Sequence, residues 1–169
     1  MVDDGYLSLL EGLSMKGLLA YWIHLEDDKA SFYEKLADRV QELNANAAFH
    51  DMFNLLSQEA RRHGRKLMEL YTKKFGDTIP GVQGPSLEDL TGVVELESES
   101  DVLGSLEGAL RLEILAERVY SILEEKSDDE FMRAVFSYLG STERLHERAL
   151  RALIDDGSYQ NGVKGRAEA

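Results

Sequence analysis

Leu25-Glu26-Asp27-Asp28-Lys29-Ala30-Ser31-Phe32-Tyr33 sets a glutamate and a tyrosine seven residues apart, and Leu112-Glu113-Ile114-Leu115-Ala116-Glu117-Arg118-Val119-Tyr120 repeats that spacing 87 residues later. Seven residues are close to two turns of a helix, at ~3.6 residues per turn, so glutamate and tyrosine share one face in each stretch. Leu19 and Leu106, and Leu36 and Leu123, keep the same offset, and apolar Ile23 and Leu110 also align. A second series runs at an offset of 83: Phe53/Phe136, Leu56/Leu139, Arg61/Arg144, His63/His146, Arg65/Arg148, Leu67/Leu150 and Leu70/Leu153. A shorter turn in the second half accounts for the difference between the offsets. The chain therefore reads as two copies of one helical hairpin.

Working outward, three- and four-residue apolar steps define four long helices, at about 14–43, 47–75, 101–125 and 129–154. Asn44-Ala45-Asn46 is a turn, and Gly76 is a C-terminal stop. Ser127-Asp128-Asp129 carries N-cap chemistry for the last helix. Residues 76–100 hold both prolines, Pro80 and Pro85, and an acidic run through Glu95, Glu97 and Glu99. A connection of that length spans a bundle end to end. It has room for one helical turn at Ser86–Leu90, and a short helix at Tyr6–Leu10 precedes the first long one. The expectation is an all-α protein: a four-helix bundle of two antiparallel hairpins joined by a long crossover. The domain covers residues 1–157, and the polar, glycine-containing 158–169 reads as a flexible tail.

A length of 169 residues fits one domain, and an apolar fraction of 43% is enough for a core. The formal charge of −13 argues against nucleic acid and against an anionic membrane surface, both of which need a basic footprint. The absence of cysteine removes disulfides, thiol catalysis, thiolate-bound zinc, iron–sulfur clusters and any rubredoxin-type iron site. The acidic start Met1-Val2-Asp3-Asp4 is no secretory signal, and the longest apolar run, Gly17–Ile23, is far too short to cross a bilayer. A cytoplasmic protein is the expectation.

The repeat brings polar residues to the inner stripe: Glu26, Glu113, His63 and His146. An unpartnered buried carboxylate is very costly. A divalent metal ion supplies a partner for carboxylate oxygen and imidazole nitrogen together, and iron, manganese and zinc all suit such donors. Glu143 and His146 lie three apart and reach one face.

These stretches, Leu25-Glu26-(x6)-Tyr33, Ala60-Arg61-Arg62-His63, Leu112-Glu113-(x6)-Tyr120 and Glu143-Arg144-Leu145-His146, resemble those of the ferritin-like di-iron carboxylate superfamily, in its rubrerythrin-like branch without a rubredoxin domain. The resemblance covers about residues 14–155. It implies Glu26, His63, Glu113, Glu143 and His146 as metal ligands, with Tyr33 and Tyr120 as supporting hydroxyls that orient a carboxylate or pass a proton or electron. One position departs from the pattern: the glutamate expected three residues before His63 is Ala60. Glu59, four before His63, is the candidate replacement ligand; the rival reading makes it a solvated surface glutamate.

By resemblance the protein binds iron, as two ions if the site is complete, and reduces peroxide or oxygen, or oxidises Fe(II). Electrons would come from a separate donor protein or from Fe(II) itself, and a homodimer is the expected assembly. Two rivals stay open: a non-catalytic metal-binding or storage protein, favoured by Ala60, and a structural bundle that has lost its metal. His24 and His50 fall off the inner stripe and read as surface histidines.

Overall fold

The computed structural model describes residues 4–93 and 95–167, with side chains described through residue 157. The chain runs through α1 (Asp4–Glu11), α2 (Met15–Glu42), α3 (Ala47–Phe75), α4 (Leu87–Thr91), a 3-10 turn at Glu99–Asp101, α5 (Val102–Lys126) and α6 (Glu130–Ala167). No strand occurs among the described residues. The ferritin-like helical bundle is thus present, with α2 packed along α3 and α5 along α6.

Local chemistry sets the boundaries. The Ser14 side chain accepts the Gly17 amide at 3.1 Å and opens α2. Asn44, with φ 52, turns the chain out of α2 in the left-handed region that asparagine tolerates. The Asn46 side chain then accepts the Ala48 amide at 2.9 Å and starts α3. Gly76, with φ 98, ends α3. Asp129 Oδ1 takes the Met132 amide at 2.8 Å and starts α6. Gly157 has no positive φ, so it does not stop α6. The helix continues to Ala167, through the stretch whose composition reads as a tail; side chains 158–169 lie outside the described residues.

The crossover is pinned to the bundle. Tyr21 donates its hydroxyl to the Pro85 carbonyl at 2.7 Å, and Arg39 Nε donates to the Leu96 carbonyl at 2.7 Å. Arg111 holds the Thr91 carbonyl. At Gly84 a Cβ would lie 2.5 Å from the Tyr21 ring, so only glycine lets the strap lie this close.

Leu19, Trp22, Tyr33, Phe53, Leu67, Leu112, Tyr120 and Phe136 are fully buried between the hairpins. So are the polar residues at mid-bundle, which makes their pairing the question. No helix among the described residues is long and apolar enough to cross a membrane.

Candidate metal centre

Five residues on four helices meet at the bundle centre: Glu26 from α2, His63 from α3, Glu113 from α5, and Glu143 and His146 from α6. All are buried, with the three glutamates at 0–1% exposure. The amphipathic period of each helix puts them there, because each lies on the same inward stripe as the leucines around it.

They form two groups that share Glu143. Glu26, His63 and Glu143 bring one potential ligand atom each to within 4.8 Å of one another, and so do Glu113, Glu143 and His146. The tyrosines cross between hairpins: Tyr33 donates its hydroxyl to Glu113 Oε1 at 2.5 Å, and Tyr120 donates to Glu26 Oε1 at 2.6 Å. Trp22 Nε1 donates to the same Glu26 oxygen at 2.9 Å.

The groups differ in how far their atoms are satisfied. His146 Nδ1 is within hydrogen-bond reach of both Glu143 Oε2 (3.0 Å) and Glu113 Oε2 (3.2 Å). In the other group, Glu26 Oε2, His63 Nδ1 and Glu143 Oε1 are buried without a hydrogen-bond partner. His63 Nδ1 approaches Glu143 Oε1 to 2.9 Å, but not in the alignment of a hydrogen bond. With one potential ligand atom from each residue within 4.8 Å of the others, this group has the donor chemistry of a cation site.

Lys29 completes the centre. Its side chain is 2% exposed, and Nζ lies 3.3 Å from Glu26 Oε2, 3.5 Å from Glu113 Oε1 and 3.9 Å from Glu143 Oε1. The motif spacing does not single out this lysine, which follows the charged Asp27 and Asp28 in sequence. Two signals were available: Lys29 lies three residues after Glu26 and four before Tyr33, so it shares their face, and its repeat mate is Ala116. Trp22, four residues before Glu26, reads from apolar periodicity alone as a core residue.

Each charge state follows from its neighbours. Burial pushes the Lys29 ammonium down, but the three carboxylates outweigh it and hold the lysine above its ordinary value. Burial likewise opposes protonation of His146, yet its bonds to Glu113 and Glu143 raise it to about 10. His63 moves up by the same balance, with Glu143 as the main raising partner. Burial and the neighbouring Glu143 push Glu113 up; Glu143 itself, despite burial, is held well below the usual range by Lys29 and both histidines. Burial beside carboxylates keeps Tyr33 and Tyr120 firmly protonated.

Glu59 stands apart. It belongs to neither group of potential ligands. Its Oε2 lies 3.9 Å from Nε2 of His63, the ring nitrogen turned away from Glu26 and Glu143, and its Oε1 is held by Arg62. Ala60 is buried, so the position where the family pattern calls for a glutamate carries a methyl group. His24 is exposed and bonds the Pro80 carbonyl at 3.1 Å, while His50 is half-buried beside Asp51. On its outer side His63 lines a surface cavity of about 430 Å³ with Glu59, Arg62, Lys66, Val135 and Tyr138.

A helical bundle with Glu/His groups buried at its centre defines the class: a ferritin-like carboxylate–histidine protein. The family model for rubrerythrin matches residues 18–154, and the chain belongs to the rubrerythrin family. Among solved structures it is similar to a hypothetical protein, Pfu-1136390-001, from Pyrococcus furiosus. The two share 28% identity over 85% of this chain and 89% of that one, with a TM-score of 0.73. No curated protein matches the chain at a significant level.

Proposed function

We propose that the protein is a rubrerythrin-like non-haem iron protein that binds Fe(II) in the buried Glu/His centre and reduces peroxide or oxygen. The observation that carries this reading is the pair of buried Glu/His groups, each of which brings three potential ligand atoms within 4.8 Å of one another. Buried carboxylates are costly without compensating charge, and Lys29 supplies one positive charge to three of them. Bound iron supplies a one-electron couple and a Lewis acid. The chain's own residues supply the setting. Tyr120 and Trp22 fix Glu26 through Oε1, while Oε2 faces the Lys29 ammonium at 3.3 Å. Tyr33 and Tyr120 keep protons on hydroxyls that touch the carboxylates. The cavity on the outer side of His63 gives a small oxidant an approach from solvent. With no cysteine in the sequence, electrons come from a separate donor or from Fe(II) itself.

Anaerobic Fe(II) loading followed by peroxide tests the proposal. The expected result is iron retained after desalting, with a near-ultraviolet absorbance that rises as peroxide is consumed. Retention without peroxide consumption would support a second reading, metal storage without turnover, which Ala60 favours by removing a carboxylate from the centre. Failure to retain any divalent metal refutes both.

A further inference from the structure

We propose that Lys29 is a built-in cation standing in for one metal ion, so that the centre takes a single divalent ion, at Glu26, His63 and Glu143. This rests on the reading of the centre as a metal site.

The internal repeat carries the argument. The offset of 87 pairs Lys29 with Ala116, and the offset of 83 pairs Ala60 with Glu143. All four positions lie on the inward stripes of α2, α5, α3 and α6, and Lys29, Ala60, Ala116 and Glu143 are all buried. The first hairpin thus has an ammonium where the second has a methyl group, and a methyl group where the second has a carboxylate. Each difference makes the centre one charge more positive than a symmetric version would be. Together they amount to the charge of one divalent ion. A symmetric centre with four glutamates and no lysine would carry four negative charges, matching two divalent ions. This centre has three carboxylates and one ammonium, and with the imidazoles neutral, as in the count for the symmetric centre, the remaining two negative charges match one.

Geometry agrees with the charge count. The Lys29 ammonium reaches all three carboxylates at 3.3–3.9 Å, so it neutralises both groups from within. Any divalent ion in the centre meets like-charge repulsion from this ammonium, and a second ion would meet that of the first ion as well, in a buried setting. Hydrogen bonding selects which group binds. At Glu113, Glu143 and His146 the imidazole Nδ1 already bridges the two carboxylates, and Tyr33 and Lys29 attend Glu113. At Glu26, His63 and Glu143 the His63 Nδ1 and Glu143 Oε1 atoms make no aligned hydrogen bond, and the Lys29 ammonium lies 3.3 Å from Glu26 Oε2. His63 is then a ligand and His146 a positioning residue that orients Glu143.

Titration of the desalted full chain with Mn(II), followed by paramagnetic resonance and elemental analysis, tests this. Wild type is expected to hold one Mn(II) per chain with the six-line spectrum of an isolated ion. The double variant Lys29→Ala, Ala60→Glu is expected to hold two, with that spectrum broadened by coupling between neighbouring ions. His63→Gln should weaken Mn(II) binding more than about 100-fold and His146→Gln by about 10-fold, the difference between losing a ligand and losing a ligand's hydrogen-bond partner. These histidine variants keep the test decisive if the double variant fails to fold by circular dichroism. Two ions in wild type overturn the inference and leave the metal reading standing. So does one ion in a folded double variant, or equal losses from the two histidines. No bound Mn(II) in wild type overturns the metal reading itself.

Discussion

Replacing Lys29 with Met isolates the charge at the centre, because methionine keeps most of the aliphatic stem and removes the ammonium. In the native protein that ammonium lies within 3.3–3.9 Å of Glu26, Glu113 and Glu143. Its raised pKa fixes the sign of the effect: the stabilisation is complete below the unfolded value near 10.5 and fades only above it, so neutral pH lies inside the window. Removing one partner of a buried ion pair costs about 3–5 kcal/mol, since the other partner stays buried and uncompensated. For a domain of this size about 1 kcal/mol moves the melting temperature by roughly 2–4 °C, so Tm of the metal-free variant should fall by roughly 6–20 °C. Glu113, already pushed up by burial and by Glu143, is the carboxylate that takes up a proton to limit the damage. The loss should therefore be smaller at pH 5 than at pH 8. Thermal melts in a chelating buffer at both pH values measure it, and added Mn(II) should raise Tm more in the variant than in wild type. A variant that melts within about 2 °C of wild type at pH 8 without metal refutes the reasoning, for the ammonium would then not be balancing those carboxylates.

Three other perturbations separate the remaining roles. His146 has its pKa raised to about 10; its share of metal-free stability should be complete below about pH 6.5 and vanish as pH rises toward 10, at no more than about 1.4 kcal/mol per pH unit. A stability profile as steep in His146→Gln as in wild type over that window would assign the slope to another group. Tyr33→Phe and Tyr120→Phe each remove a buried hydrogen bond to a carboxylate, at 2.5 and 2.6 Å, and should each destabilise by about 1.5–3 kcal/mol in chemical unfolding; changes under 0.5 kcal/mol would mean the bonds are not formed in solution. Glu59→Gln should leave Mn(II) affinity within about twofold, because Glu59 faces the outer nitrogen of His63; a loss of 10-fold or more would restore it as a ligand.

The fold was legible because the same pattern appears twice. A single Glu-(x6)-Tyr or Glu-x-x-His is weak, but Glu26/Glu113, Tyr33/Tyr120 and His63/His146 recur at fixed offsets on helical stripes, which leucine periodicity alone does not produce. What escaped was set by contacts that spacing does not report. Lys29 stands after two solvated aspartates, and lysine is almost never fully buried unless paired, so its neighbours in sequence pointed outward while its partners, Glu113 and Glu143, lie on other helices. Glu59 shares a face with His63 by the i,i+4 rule, but the rule does not say which ring nitrogen it meets. The composition of 158–169 reads as a tail, yet Gly157 has no positive φ and the helix runs on to Ala167. For Lys29 and Glu59 the helix is readable, and what the side chain meets is not.

The same charges also decide how the two hairpins are held together. Within each hairpin, helices pack along their length through apolar side chains. Between hairpins the buried polar links are Tyr33 to Glu113, Tyr120 to Glu26, Lys29 to Glu113 and Glu143, and His63 to Glu143. Apolar packing tolerates small slides, whereas a buried polar network is favourable only when its members meet their partners, so it selects one alignment of the halves. If metal ions alone balanced the carboxylates, that alignment would depend on metal supply, since a ligand that binds only the folded state contributes in proportion to its saturation. A lysine bound to the chain is present at every metal concentration. Lys29 thus lets the hairpins dock with the second group already satisfied through His146, and leaves the group of Glu26, His63 and Glu143, where His63 Nδ1 and Glu143 Oε1 make no aligned hydrogen bond, as the part of the centre still open to a metal.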